Sequence, residues 1–212
     1  MTRTAEELRS HFERYEAEHV FGLFVRFPLA RFLLRYPPRS VWAAYVLITC
    51  FVSIGVISSV AVITKNPFVF PSLGPTAYLL FFTPLARASS PRHALLGHAI
   101  GIVCGYLALL ITRSNEAATG LSRGVEWSTV LAAALSLSIT GAIMVLLRVS
   151  HPPAGATTLI VSLGLISKPG HLFIVEAALL FLVIEAFTIN RLAGVQYPVW
   201  EERVPAQPPP HG

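Results

Sequence analysis

The chain has 212 residues, of which 54% are hydrophobic and only 13% are charged. That charged share is about half of what a soluble domain carries, and a soluble fold of this size could not cover so much apolar surface. The composition therefore excludes an ordinary soluble protein and predicts an all-α integral membrane protein. The net charge of +5 does not indicate nucleic-acid binding, because seven of the sixteen Lys and Arg residues stand together before the first apolar segment.

Residues 1–40 predict an N-terminal arm outside the membrane core. Thr4 and Glu7 have the spacing of a capping box, and between residues 21 and 36 arginines interleave with phenylalanine and leucine, as in an interfacial helix. A solvated arm that only sets topology is favoured over a recognition role. Its seven arginines predict a cytoplasmic N-terminus, in keeping with a bacterial inner-membrane protein. They are Arg3, Arg9, Arg14, Arg26, Arg31, Arg35 and Arg39.

Four apolar segments each have the roughly 20 residues that a bilayer crossing needs. They are 41–64, 93–112, 127–147 and 171–190. Two further apolar segments, 66–85 and 148–167, are interrupted by prolines, which forbid a continuous helix. A short helix can begin at Pro75 or at Pro153, because proline suits the first helical turn. Each interrupted segment therefore predicts an extended leg followed by a half-helix. After residue 192 the tail, 193–212, is rich in proline and is predicted to be disordered.

The two interrupted segments match each other at an offset of 81 positions. The aligned pairs are Pro71 with Pro152, Gly74 with Gly155, and Thr76 with Thr157. The same offset places the first span on the third and the second on the fourth, so the transmembrane domain 41–192 reads as two halves, 41–112 and 127–190. If each half crosses three times, the halves are inverted, an architecture that recurs in transporters. Chance similarity is the alternative explanation of so short a match.

Two half-helices that begin inside the membrane predict a binding site for a small inorganic anion. Their first turns offer unpaired N–H groups and partial positive charge. We expect two glycines to admit the anion, hydroxyls to donate hydrogen bonds to it, and two basic side chains to add positive charge at the mouth of the site. The candidate residues are Ser72, Gly74, Thr76, Arg148, His151, Gly155, Thr157 and Thr158. The alternative is that proline and glycine only kink the helices and that serine and threonine cap them.

Three features outside these segments bear on coupling, chemistry and assembly. Glu185 is an acid deep in the last span, which makes it a candidate for proton coupling; pairing with Arg191 is slightly favoured. No nucleophile–base pair, paired carboxylates or metal-ligand spacing stands out, so an enzyme, a cofactor and a metal site are not expected. The glycines at 97, 101 and 105 form a small-residue stripe for close helix packing, within the fold or between subunits, and favour a homo-oligomer.

Several strings of the sequence together form a recognisable pattern. They are Pro71-Ser72-Leu73-Gly74-Pro75-Thr76-Ala77, Pro91-Arg92-His93, Gly97-His98, and Leu147-Arg148 leading to His151-Pro152-Pro153-Ala154-Gly155-Ala156-Thr157. This pattern resembles the HPP family of small integral membrane proteins. The resemblance implies four membrane spans and, because members in plastids and cyanobacteria are associated with nitrite transport, an anion transporter or channel with nitrite as the leading substrate. A scaffold or sensor subunit that does not transport is the alternative; a membrane enzyme ranks below both.

Overall fold

The structure, a computed structural model, describes Leu29, Phe32, residues 36–112 and residues 126–201. These residues form six α-helices and one 3-10 turn, and no strand occurs among them, which confirms the all-α prediction. The helices are α1 (Pro38–Thr64), α2 (Leu73–Phe82), α3 (Pro91–Thr112), α4 (Trp127–Leu146), α5 (Pro153–Ser162) and α6 (Pro169–Ala193), with the 3-10 turn at Arg87–Ser89. The polar and interfacial helices predicted before residue 36 lie outside the described residues.

Four of the helices, α1, α3, α4 and α6, are long and apolar enough to cross a membrane, which confirms the four predicted spans. The other two, α2 and α5, have ten residues each and are the predicted half-helices. The prolines account for where they begin: α5 begins at Pro153 itself, and α2 begins two residues before Pro75, so that this proline still lies in the first turn, where no intrahelical N–H is required.

The chain between α1 and α3 runs back along the full length of α1. The indole Nε1 of Trp42, near the start of α1, donates to the carbonyl oxygen of Phe82, the last residue of α2, at 3.1 Å. Asn190, near the end of α6, lies at the same end of the molecule. Its Nδ2 donates to the Leu80 carbonyl oxygen at 3.1 Å, and its Oδ1 accepts from the Tyr45 hydroxyl at 2.8 Å. The first interrupted segment therefore returns to the level at which α1 starts.

The glycine stripe of α3 packs against α5 within the chain. A methyl group added at Gly97 would lie 2.9 Å from His151 Cβ, one at Gly101 would lie 2.8 Å from the Ala154 carbonyl oxygen, and one at Gly105 would lie 2.6 Å from the Thr158 carbonyl oxygen. Only glycine lets the two backbones approach this closely. Because the stripe serves the fold, it no longer supports the predicted homo-oligomer, which stays a prediction.

The chain after α6 packs back onto the transmembrane helices instead of leaving them at residue 193. Gly194 ends α6 with a φ of 96°, a left-handed conformation that glycine adopts without strain. Tyr197 is then fully buried, and its hydroxyl donates to the Ser89 carbonyl oxygen at 2.6 Å. Glu201 forms an ion pair with Arg92 at 2.5 Å. The predicted tail is thus corrected over 193–201, and its remainder lies outside the described residues.

Candidate functional site

A cluster of five buried polar side chains lies where the two half-helices meet. We call it the central cluster; its members are Ser72, Thr76, His98, His151 and Thr157. Each is at most 1% exposed to solvent. Burying a hydroxyl or an imidazole costs free energy unless each polar atom has a partner, and the cost is larger where lipid surrounds the fold. Such a cluster inside a membrane domain points to a function rather than to packing alone.

His98 on α3 joins the two half-helices. Its Nε2 lies 3.1 Å from Thr76 Oγ1 on α2, and its Nδ1 lies 2.7 Å from Thr157 Oγ1 on α5. These two threonines are the residues that the 81-position offset aligns with each other. A single imidazole therefore holds equivalent positions of the two interrupted segments in one hydrogen-bonded unit.

The half-helices also contact each other directly. Ser72 Oγ, at the residue preceding α2, lies 2.5 Å from Thr157 Oγ1. Thr76 Oγ1 donates to the Ser72 carbonyl oxygen at 2.8 Å, which fixes the first turn of α2. Thr158 extends the polar contacts toward α4, where its Oγ1 lies 3.2 Å from that of Thr140. The predicted hydroxyl residues Ser72, Thr76, Thr157 and Thr158 are all buried in this region.

His151 enters the cluster from the loop that precedes α5. Its Nδ1 lies 2.7 Å from the Ala88 carbonyl oxygen and its Nε2 lies 3.3 Å from Thr76 Oγ1. Its ring centroid lies 5.0 Å from that of His98. The predicted position of His151 at a charged mouth is thus replaced by a position deep in the cluster, against the Gly97 backbone that makes room for it.

A basic region adjoins the cluster at the end where α4 stops and α3 begins. Arg87 Nη2 donates to the Arg148 carbonyl oxygen at 2.8 Å, and the Ser150 N–H donates to His93 Nδ1 at 2.9 Å. Arg148 is exposed and has a φ of 53°, so the chain turns sharply there. The predicted mouth charge at Arg148 therefore lies at the surface, where Arg87 holds its backbone.

The two candidate glycines do not point a side-chain position into the cluster. A methyl group at Gly74 would meet nothing within 4 Å, and one at Gly155 would meet the Leu137 side chain of α4 at 3.3 Å. The amides at the start of α5 already have acceptors: Ala154 N–H donates to the His151 carbonyl and Gly155 N–H to the Pro152 carbonyl, each at 3.0 Å. In this conformation side chains, and not the backbone of α5, form the donors of the candidate site.

Glu185 lies away from these contacts on α6. Its carboxylate atom Oε2 is buried and has no hydrogen-bond partner among the described residues. The expected pairing with Arg191 is replaced by a cation–π contact, in which the Arg191 guanidinium lies 5.4 Å from the centroid of the Phe187 ring. Glu185 therefore stays a candidate for proton coupling without belonging to the central cluster.

Sequence reasoning missed His98. It is not among the candidate residues that the repeat of the interrupted segments indicates, because it lies on α3, outside both segments. The informative neighbour was Gly97. A histidine beside the glycine stripe lies next to the close contact between α3 and α5. At that position its ring is near enough to hydrogen-bond with both half-helices.

Comparison with known proteins bears on this arrangement. Residues 36–198 match the family described as "HPP, transmembrane region". A transmembrane protein of Dictyostelium discoideum is 28% identical over 137 residues, which cover 61% of this chain and 44% of the relative, so the chain spans less than half of that protein's length. No solved structure matches the chain. Since the family match covers well over half of the sequence, including all six helices, the chain belongs to the HPP transmembrane family.

Proposed function

We propose that this protein is a membrane transporter or channel for a small inorganic anion, with nitrite as the leading candidate. The observation that carries the proposal is the buried contact of His98 with both half-helices, through Thr76 and Thr157. Interrupted helices that meet at polar residues inside the membrane are the common design of substrate sites in transporters. The choice of nitrite rests on the family resemblance.

The side chains of the cluster suit a small anion. Hydroxyl and imidazole N–H groups donate hydrogen bonds, and an anion that leaves water needs such donors to replace its hydration. No carboxylate belongs to the cluster, so nothing in it repels a negative charge. Arg87 and Arg148 lie at the adjacent end of the fold, as does Arg92 in its ion pair with Glu201. The net positive charge of this end would raise the local anion concentration.

The contact between the Ser72 and Thr157 hydroxyls holds the two half-helices together at the central cluster. The Ser72 and Thr157 hydroxyls lie 2.5 Å apart and so occupy the donors that an anion would use. Binding would therefore require α2 and α5 to separate by a small movement, in which each hydroxyl exchanges its side-chain partner for the anion. Two arrangements of one packed interface are what alternating access needs.

We further propose that the two halves are inverted copies. The support is the pattern of helix contacts: exchanging α1 with α4, α2 with α5 and α3 with α6 leaves the set of principal helix pairs unchanged. The start of α1 and the end of α6 lie together, as the Tyr45–Asn190 hydrogen bond requires. At the same end Arg87 reaches Arg148, so α3 begins where α4 stops.

Under this exchange the interface between α3 and α5 corresponds to the interface between α6 and α2, but the residues that form the two interfaces differ. The 81-position offset aligns the glycines at 97, 101 and 105 with Ala178, Leu182 and Ala186, all fully buried. These larger side chains leave α6 without the glycine stripe that lets α3 approach the backbone of α5. We also propose that the end of the fold carrying Arg87, Arg92 and Arg148 faces the cytoplasm of a bacterial inner membrane, because arginines favour the cytoplasmic side.

A scaffold or sensor subunit is the second candidate, because the closed cluster would also suit a rigid protein that moves no solute. Flux measurements separate the two. Purified protein in liposomes, tested with nitrite, nitrate, formate and chloride against protein-free liposomes, is expected to carry nitrite fastest. Fluxes equal to those of protein-free liposomes for all four anions would favour the scaffold.

A further inference from the structure

One nitrogen of the central cluster has no proton facing it. His151 Nδ1 lies 2.7 Å from the Ala88 carbonyl oxygen, which can only accept a hydrogen bond, so Nδ1 carries the proton of the neutral ring. The neutral ring therefore presents a bare lone pair at Nε2. That lone pair faces Thr76 Oγ1 at 3.3 Å.

The Thr76 hydroxyl has one proton but two acceptors within reach, the Ser72 carbonyl oxygen at 2.8 Å and His151 Nε2 at 3.3 Å. It cannot donate to both, and we assign its proton to the shorter contact. The oxygen of Thr76 is left with two lone pairs, one toward His98 and one toward His151.

His98 fills the first of these two places. With the Thr76 proton assigned in this way, the other contacts are satisfied if Ser72 Oγ donates to Thr157 Oγ1 and Thr157 Oγ1 donates to His98 Nδ1. The neutral His98 ring then carries its proton on Nε2, directed at Thr76. Every contact in the cluster then joins one proton to one lone pair, except the contact between Thr76 and His151. The hydrogen-bond network is one proton short.

We propose that His151 Nε2 binds this proton during transport and that the protein takes up one proton together with each anion. This inference rests on the proposed transport function. A proton from water forms an N–H bond at Nε2, the new N–H donates to Thr76 Oγ1, and the ring becomes an imidazolium. The proton leaves with the anion on the other side. A cation this deeply buried needs an opposite charge beside it, and the anion provides that charge.

The surroundings of His151 keep it neutral when no anion is bound. Its ring is fully buried, so water cannot solvate a positive charge there. Within their bounds α4 and α5 carry no Asp, Glu, His, Lys or Arg. The other elements around the cluster carry ionisable side chains as follows: Arg87 in the 3-10 turn, Arg148 before α5, Tyr78 on α2, Arg92, His93, His98, Cys104 and Tyr106 on α3, and His171, Glu176, Glu185 and Arg191 on α6.

Linkage fixes the direction of the pH effect. An anion beside the ring stabilises the imidazolium, so by reciprocity the proton strengthens anion binding. Anion affinity should therefore rise as the pH falls.

The test uses the full chain in liposomes loaded with a fluorescent pH indicator, with nitrite as the probe. Wild type is compared with His151→Asn, whose amide can still donate to Ala88 but cannot take up a proton at neutral pH. His171→Asn is the matched control, because it makes the same change at a half-buried position at the start of α6. Protein-free liposomes correct for leakage of nitrous acid, and thermal melts confirm that both variants are folded.

We expect a nitrite gradient to acidify wild-type liposomes with one proton per nitrite, and an imposed membrane potential to leave the rate unchanged. The acidification should fall to the protein-free level in His151→Asn and match wild type in His171→Asn. Nitrite flux in wild type without acidification, at a rate that follows the membrane potential, would overturn the coupling and leave the transport function standing. Absence of flux for every anion tested would overturn the transport function itself. If His151→Asn does not fold, the proton-to-nitrite ratio of wild type decides alone.

Discussion

Tyr197 shows how a single hydroxyl can hold the end of the described chain. Its ring is fully buried against the helices, and its hydroxyl donates to the Ser89 carbonyl oxygen at 2.6 Å. Burial raises the pKa of this hydroxyl, so it remains a hydrogen-bond donor throughout the neutral range. The contact ties residues 193–201 to the turn that also presents Ala88 to His151.

Removing this hydroxyl should therefore destabilise the fold. Tyr197→Phe leaves the ring in place but leaves the buried Ser89 carbonyl without this donor, at a cost of about 1–3 kcal/mol. Tyr78→Phe, at an exposed tyrosine on α2, should cost little. Thermal melts of the two purified variants in one detergent provide the measurement; equal melting temperatures would contradict this role of Tyr197.

At the scale of the elements, the closeness of α3 and α5 decides where the cluster forms. The glycine stripe brings the α5 backbone against α3, and this approach lets the His98 ring reach Thr157 at 2.7 Å. A wider gap would move that contact beyond hydrogen-bond distance.

A methyl group in this interface should be costly. Gly101→Ala would place its Cβ 2.7 Å from Thr158 Oγ1 and 2.8 Å from the Ala154 carbonyl oxygen, so the backbone of α5 has to shift. We expect a loss of about 1–3 kcal/mol. Gly55→Ala on α1, where a methyl group would meet nothing within 4 Å, should be neutral or slightly stabilising. A melting temperature of Gly101→Ala at or above that of Gly55→Ala would show that the interface is not close-packed.

The elements also show which features a sequence can predict. Prolines act locally, through a missing N–H and a fixed φ, so Pro75 and Pro153 predicted the half-helices and Pro153 the first residue of α5. The small-residue stripe predicted close packing because its four-residue spacing places three glycines on one face of a helix. Its partner, α5, depends on the tertiary arrangement, as does the contact of His98 with two threonines far apart in the chain. The repeat correctly paired the glycines at 74 and 155 in the sequence. It did not predict that their side-chain positions face away from the central cluster.

At the scale of the whole molecule, the proposed inverted halves require residues 113–125, which connect α3 to α4, to lie opposite the basic end. Two single cysteines test this, Ser122→Cys in that segment and Val199→Cys at the basic end, each with Cys50 and Cys104 replaced by alanine. An impermeant maleimide applied to intact cells should label residue 122, and residue 199 only after lysis. Labelling of both sites from the same side would exclude three crossings in each half.

The most direct test of the central claim is nitrite flux through proteoliposomes containing wild type, Thr157→Val or Thr188→Val. The first substitution keeps the side-chain shape but removes the hydroxyl that contacts His98 and Ser72. The second removes an exposed hydroxyl on α6 that contacts only its own helix. We predict that Thr157→Val lowers the flux by about tenfold or more, as the loss of about 1–3 kcal/mol of hydrogen bonding would, and that Thr188→Val matches wild type. Wild-type flux in folded Thr157→Val would contradict an anion pathway through the central cluster.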